Sequence, residues 1–280
     1  MDRFVLTLRC QDRPGIVRAF ADGVVAADGN IVESHQFSDP DTGTFTMRVA
    51  VDSPADVETL RSLVEERVAP LDATVTVRPE AQRRRVVILV SKFDHCLVDL
   101  LYRHQIGELP VDIPVVVSNH ETARNLVEQQ GIPFVHIPVS PETKPEAEAQ
   151  LLDLVRQHDA DFVVLARYMQ VLSDDLCREL SGRVINIHHS FLPGFKGAKP
   201  YHRAHERGVK LIGATAHYVT ADLDEGPIIE QDVVRVSHTA TVADLVAMGR
   251  DVERLVLSRA VRRHAEDRVL LVGARTIVFD

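Results

Sequence analysis

The sequence predicts an α/β protein of two domains, a small ferredoxin-like βαββαβ unit followed by a doubly wound, mostly parallel sheet. Three observations carry this. Residues 1–80 set short strand-like runs and two helical patterns in the order strand, helix, strand, strand, helix, strand. From Val86 the strands become continuous β-branched runs such as Val86-Val87-Ile88-Leu89-Val90, as expected of strands buried on both faces. A length of 280 residues also exceeds what one hydrophobic core usually fills.

Residues 3–10 alternate like a half-buried strand and run into Asp12-Arg13-Pro14-Gly15, a turn that opens a helix. That helix directs Ile16, Val17, Phe20, Val24 and Val25 toward a core and stops near Gly29-Asn30. Residues 31–38 and 44–51 form two strands around the hairpin signal Asp39-Pro40-Asp41-Thr42-Gly43. Ser53-Pro54 starts a second helix with Val57, Leu60, Leu63, Val64 and Val68 at helical spacing, and residues 74–78 add the fourth strand. Residues 81–85, with three consecutive arginines, read as a charged linker, either solvated or able to meet an anionic group.

In the second domain, residues 86–280, strand runs at 86–90, 113–117, 134–137, 162–165, 184–187 and 212–219 alternate with helical patterns at 96–104, 121–130, 144–158, 173–180 and 201–207. Residues 226–236 read as extended and 241–264 as a long amphipathic helix.

Composition narrows the functions. Hydrophobic residues at 45% and charged residues at 26% are ordinary for a globular chain. A net charge of −9 argues against nucleic-acid or membrane partners, since either needs a broad cationic face. Cys10, Cys96 and Cys177 are too few and scattered for a disulfide framework, and no Cys/His spacing suggests zinc, so neither a metal nor another cofactor is expected. The first residues lack the apolar run of a signal peptide and no segment is long enough to span a bilayer, so a cytoplasmic protein is expected.

The chemistry concentrates in Asn186-Ile187-His188-His189-Ser190-Phe191-Leu192-Pro193 and Leu223-Asp224-Glu225-Gly226-Pro227. Strand alternation points Asn186 and His188 the same way, at a strand end where an α/β sheet presents catalytic groups. A carboxamide can stabilise the oxygen of a tetrahedral intermediate, and an imidazole can donate to it or move a proton. Asp224 precedes Gly226-Pro227 and can fold back toward the pair to hold the imidazole or a water. Its role in proton transfer leads us to expect an elevated pKa.

With the Lys196-Gly197 loop and Gly213-Ala214-Thr215-Ala216-His217, these motifs resemble the formyl-transfer family shared by glycinamide ribonucleotide transformylase, methionyl-tRNA formyltransferase and formyltetrahydrofolate deformylase. The first 80 residues resemble an ACT domain through Asp12-Arg13-Pro14-Gly15-Ile16-Val17. An ACT-like unit joined through an Arg-rich linker to a formyl-transferase-fold domain, with His189 where transformylases tend to have proline, is most similar to the deformylases.

The resemblance implies hydrolysis of 10-formyltetrahydrofolate to formate and tetrahydrofolate, with formate available for purine synthesis and one-carbon balance. It assigns catalytic roles to Asn186, His188 and Asp224. It places the pterin against Tyr168, Met169, Gln170 and Leu172, largely through backbone groups, with Gln170 standing where a basic residue is expected and His217 as a further candidate. It also implies a homo-oligomer, dimer or tetramer, and an amino-acid effector bound at the loop of Asp12 and Gly15. Gly15 is equally readable as a plain turn glycine.

One contrast has a direct physical basis. A ribonucleotide-using transformylase cradles phosphate on a glycine-rich loop after the first strand of this domain. Here that position reads Ser91-Lys92-Phe93-Asp94-His95-Cys96, without glycine and with a carboxylate that repels phosphate. Water suits this site better than a phosphorylated amine. The rival readings are a formyltransferase with another amine acceptor and a sensor that binds folate or an amino acid without chemistry.

Overall fold

Strand β1 (Asp2–Gln11) directs Phe4, Leu6, Leu8 and Cys10 into a core shared with helices α1 (Ile16–Ala26) and α2 (Val57–Val68). Strands β2 (Asn30–Asp39), β3 (Thr44–Ser53) and β4 (Thr74–Pro79) complete an antiparallel sheet in the order β2-β3-β1-β4. The helices lie close together because Gly23 leaves room: a Cβ there would stand 2.7 Å from the Val64 Cα. Ile16, Phe20 and Val24 face the core as expected, but Val17 and Val25 are 42% and 69% exposed. Each is one residue, or about 100° of helix, beyond the buried stripe. The structure, a computed structural model, describes residues 1–194 and 200–280. Lys196 and Gly197 therefore lie outside the described residues.

The second unit, Arg84–Ala265, opens with β5 (Arg84–Val90), α3 (His95–Gln105), β6 (Val111–Ser118), α4 (Arg124–Glu128), β7 (Phe134–His136) and α5 (Lys144–Gln157). It continues through β8 (Phe162–Leu165), α6 (Asp174–Glu179), β9 (Val184–His188), α7 (Pro200–Glu206), β10 (Leu211–Tyr218), β11 (Ile228–Arg235) and the long helix α8 (Val242–Ala265). The seven strands take the order β11-β10-β9-β8-β5-β6-β7. Strands β5 to β9 pair in parallel, whereas β10 runs antiparallel to both β9 and β11. Two arginines expected in the linker belong to this sheet: Arg84 pairs with Asp161 at 3.0 Å, and the Arg85 backbone N–H donates to the same carboxylate at 2.7 Å. Among the described residues no helix is long and apolar enough to cross a membrane.

The last residues correct one expectation. Residues 266–280, read with the second domain, cluster instead with the first unit, Met1–Arg83. They form the hairpin β12 (Val269–Val272) and β13 (Arg275–Val278). The sheet face opposite α1 and α2 anchors this segment. There the buried Arg48 donates to the Glu266 carbonyl at 3.0 Å and Arg9 to the Leu271 carbonyl at 2.9 Å. Arg78 pairs with Asp267 at 2.7 Å and Arg275 with Asp39 at 2.9 Å. These pairs join residues far apart in sequence, which local patterning does not reveal.

Candidate active site

Strand β5 has β6 on one side and β8 on the other, so the winding of the sheet reverses there. Such a reversal opens a crevice at the carboxyl ends of the strands. A cleft of about 510 Å³ is lined by residues that follow β5, β8, β9 and β10. This size suits a small organic ligand.

Asn186 and His188 stand two residues apart at the end of β9, and both line the cleft. The antiparallel register sets His217 of β10 opposite Asn186, with Asn186 Nδ2 3.2 Å from His217 Nε2. His217 Nδ1 lies 2.9 Å from the Tyr218 carbonyl oxygen. A carbonyl only accepts, so Nδ1 carries the hydrogen and Nε2 accepts from the carboxamide. Burial pushes the His217 imidazole below its ordinary value, in keeping with this neutral form. The carboxamide keeps its second N–H for the cleft.

Asp224 reaches the pair through a tight return. Its own φ of 58° is left-handed. Two residues on, a Cβ at Gly226 would stand 1.7 Å from the Tyr218 carbonyl oxygen, so only glycine fits. The Tyr218 N–H then closes the loop on the Pro227 carbonyl at 2.9 Å. This brings Asp224 Oδ1 to 3.2 Å from His188 Nδ1 and 3.9 Å from His217 Nε2. Held through Nδ1, His188 presents Nε2, a buried atom with no hydrogen-bond partner among the described residues.

The elevated Asp224 pKa expected from the sequence is not what the geometry gives. The hydrogen bond from His188 holds the carboxyl below the usual carboxylate range, outweighing burial, with the charges of His188 and His217 acting the same way. Asp224 is an ionised acceptor that orients an imidazole. His189 stacks on His188 with ring centroids 5.1 Å apart. Burial, with the nearby Arg167 charge, pushes His189 down to about 4, so it stays neutral.

Tyr168, Met169, Gln170 and Leu172 line the same cleft. The segment hangs from the first strand of this unit: buried Ser91 accepts the Met169 N–H at 2.9 Å and donates to Asn119 Oδ1 at 2.7 Å. Burial pushes the Tyr168 phenol up to about 12. Asp12 and Gly15 belong to the first unit. Asp12 accepts from the Ser38 hydroxyl, and Gly15 precedes α1 at φ 98°, a conformation that favours glycine.

Sequence reasoning missed Glu253 and Arg167 at the polar end of the cleft. Glu253, 1% exposed, sits on the inward stripe of α8 and accepts from Tyr201 Oη at 2.6 Å and His95 Nε2 at 2.9 Å. Burial alone would raise its pKa, but those hydrogen bonds and the Arg167 charge hold it below its ordinary value. A lone carboxylate inside an apolar helical stripe was the signal. Gly249, one turn earlier, leaves space for the Tyr201 ring: a Cβ there would meet its hydroxyl at 2.1 Å. The ligand atoms of His95, Cys96 and Glu253 lie within 4.8 Å of one another. A cation there would take His95 Nε2 from its hydrogen bond to Glu253 and compete for a carboxylate that already has Arg167 Nε at 3.4 Å, while burial pushes the Cys96 thiol up and keeps it protonated.

Comparison with known proteins gives the same picture. Residues 84–261 match the formyl transferase family. The chain is 55% identical over 280 residues to a formyltetrahydrofolate deformylase of Corynebacterium sp. (strain P-1), covering 99% of this chain and 98% of the relative. It is 44% identical to the Escherichia coli (strain K12) protein of that name, covering 100% and 99%. The crystal structure of a formyltetrahydrofolate deformylase from Pseudomonas syringae pv. tomato superimposes with a TM-score of 0.97 at 49% identity, covering 100% of this chain and 95% of that one. Glycinamide ribonucleotide transformylase 1 from Symbiobacterium toebii matches 71% of this chain and 95% of its own, with a TM-score of 0.66 at 32% identity. The family match, the identity along the whole chain and the superposition thus agree that this chain belongs to the formyltetrahydrofolate deformylases of the formyl transferase family.

Proposed function

We propose that the chain hydrolyses 10-formyltetrahydrofolate to formate and tetrahydrofolate, with Asn186, His188 and Asp224 as the catalytic groups. The observation that carries this is the pairing of His188 Nδ1 with an ionised Asp224 at 3.2 Å, beside a carboxamide whose free N–H faces the same cleft. His188 Nε2 takes a proton from water as its oxygen attacks the formyl carbon. The Asn186 N–H holds the oxyanion, and Asp224 stabilises the imidazolium. His188 returns the proton to the folate nitrogen as the C–N bond breaks, and the released acid ionises to formate. Tyr168, Met169, Gln170 and Leu172 bind the folate ring, and His217 orients Asn186.

The reading needs no metal or cofactor, and dialysis against a chelator should leave turnover unchanged. Incubation of purified protein with 10-formyltetrahydrofolate and no amine should give formate and tetrahydrofolate in equal amounts; no product under these conditions sinks the proposal. The same reading includes action in the cytoplasm, an amino-acid effector at the loop of Asp12 and Gly15, and a homo-oligomer formed through the first unit. Its edge strand β2 leaves Ile31, Val32 and Phe37 exposed. Light scattering and amino-acid titration calorimetry test the last two.

A further inference from the structure

We propose that the polar end of the cleft is a subsite for a small carboxylate, in which Arg167 receives the formate anion as it leaves the reacting centre. This rests on the hydrolysis proposed above. Arg167 follows β8 with φ 64°, in the left-handed region that side-chain-bearing residues other than Asn and Asp seldom occupy. A strained backbone at a cleft wall marks a side chain held for a purpose.

The guanidinium is only 10% exposed and lines the cleft, yet it makes no hydrogen bond among the described residues, and its Nε is fully buried without an acceptor. Among the described residues its close charged contact is Glu253 Oε2, 3.4 Å from Nε. That carboxylate is already engaged by Tyr201 and His95. The ion pair therefore offsets the charge of Arg167 but leaves its buried Nε without a hydrogen-bond acceptor, a costly state for a buried polar group, and the Nη donors free for the cleft. A planar fork of N–H donors matches a planar carboxylate, which can accept two parallel hydrogen bonds.

A second cation stands beside it. Arg167 and Arg250 each place the guanidinium carbon 5.8 Å from the centroid of the Phe93 ring. Arg250, on α8, is exposed and makes no ion pair among the described residues. Charge also orders the reacting centre. The ionised Asp224 repels a newly formed anion, while the field of Arg167 reaches His189, which stacks on His188. Formate released between them moves away from Asp224 and toward Arg167.

The test uses sodium formate as the probe against the full-length protein and its Arg167→Ala, Arg167→Lys and Arg250→Ala variants. Formate should inhibit wild-type turnover, and Arg167→Ala should weaken that inhibition about 10-fold or more, the scale of a charge-assisted bidentate contact. Arg167→Lys, which keeps charge without the fork, should fall between them, and exposed Arg250→Ala should lose about threefold. Saturation-transfer NMR with ¹³C-formate reads binding without turnover, and circular dichroism verifies folding. Equal formate affinity in wild type and Arg167→Lys overturns the proposal even if Arg167→Ala does not fold. A KM for 10-formyltetrahydrofolate that rises about 10-fold with formate affinity unchanged assigns the fork to the substrate's own carboxylates, and also overturns it. A wild type that binds formate but releases none from 10-formyltetrahydrofolate refutes the hydrolytic reading instead.

Discussion

Gly226→Ala tests whether the Asp224 loop sets catalysis through its geometry alone, because the substitution adds one methyl group and removes no functional group. The added Cβ would stand 1.7 Å from the Tyr218 carbonyl oxygen, 2.8 Å from its carbonyl carbon and 3.3 Å from His217 Nδ1. Real Cβ atoms essentially never come within 3.0 Å of a neighbour, so the first gap must open by at least 1.3 Å, the difference between 3.0 and 1.7. The obstacle cannot rotate away, because it is backbone at the end of β10, next to the Tyr218–Pro227 closure. The loop must yield instead, and Asp224 lies two residues upstream. A shift of that size carries Oδ1 from 3.2 Å beyond hydrogen-bond reach of His188. Misplacement of a catalytic group by about 1 Å costs about 100-fold in rate. Steady-state formate release should therefore show kcat falling about 100-fold with KM nearly unchanged, while thermal denaturation shows a loss of about 1–3 kcal/mol from overpacking. A folded variant with kcat within about threefold of wild type refutes the argument that this return loop positions Asp224.

Other expectations follow from the same contacts. Asp224→Asn keeps the shape but loses the charge that stabilises the His188 imidazolium, and should lower kcat about 1,000-fold, or about 4 kcal/mol of barrier, in the formate-release assay. Because the Asp224 carboxyl is held below its ordinary value, the stability it contributes is fully present above the unfolded carboxylate pKa, near pH 4, and is lost as pH falls through the lower folded value. ¹³C NMR of labelled aspartate should find it ionised from pH 7 to below about 4, and a midpoint above about 5 contradicts the assigned hydrogen bond. Ser91→Ala leaves the Met169 N–H without its acceptor, at a cost of about 1–3 kcal/mol, and should raise KM about 10-fold with little change in kcat.

The sequence carried the sheet and the reacting groups unequally. Unbroken β-branched runs such as Val86–Val90 are legible because a strand covered on both faces has no polar alternation to lose. Asn186 and His188 were legible from strand periodicity, and Asp224 from the glycine and proline that follow it. The direction of the Asp224 shift was not, because it depends on which group stands 3.2 Å away rather than on burial. Glu253 left one local trace, a lone carboxylate in the apolar stripe of α8, whereas the left-handed backbone of Arg167 has no local pattern to mark it. The hairpin at 269–278 was missed because the anchors of this segment, Arg9, Arg48 and Arg78, lie 189 to 262 residues away.

Strands β9 and β10 hold Asn186 and His217 face to face by ladder register, whereas the segment from Tyr168 to Leu172 lies outside the ladder and is tied to Ser91 through the Met169 N–H. Reactivity and fit thus have separate mountings. On the proposed assignment, changes that reshape what the crevice accepts can accumulate after β8 without loosening Asn186 and His188. A one-residue slip in β10 has the opposite effect, since it turns His217 to the far side of the sheet and leaves Asn186 without its partner.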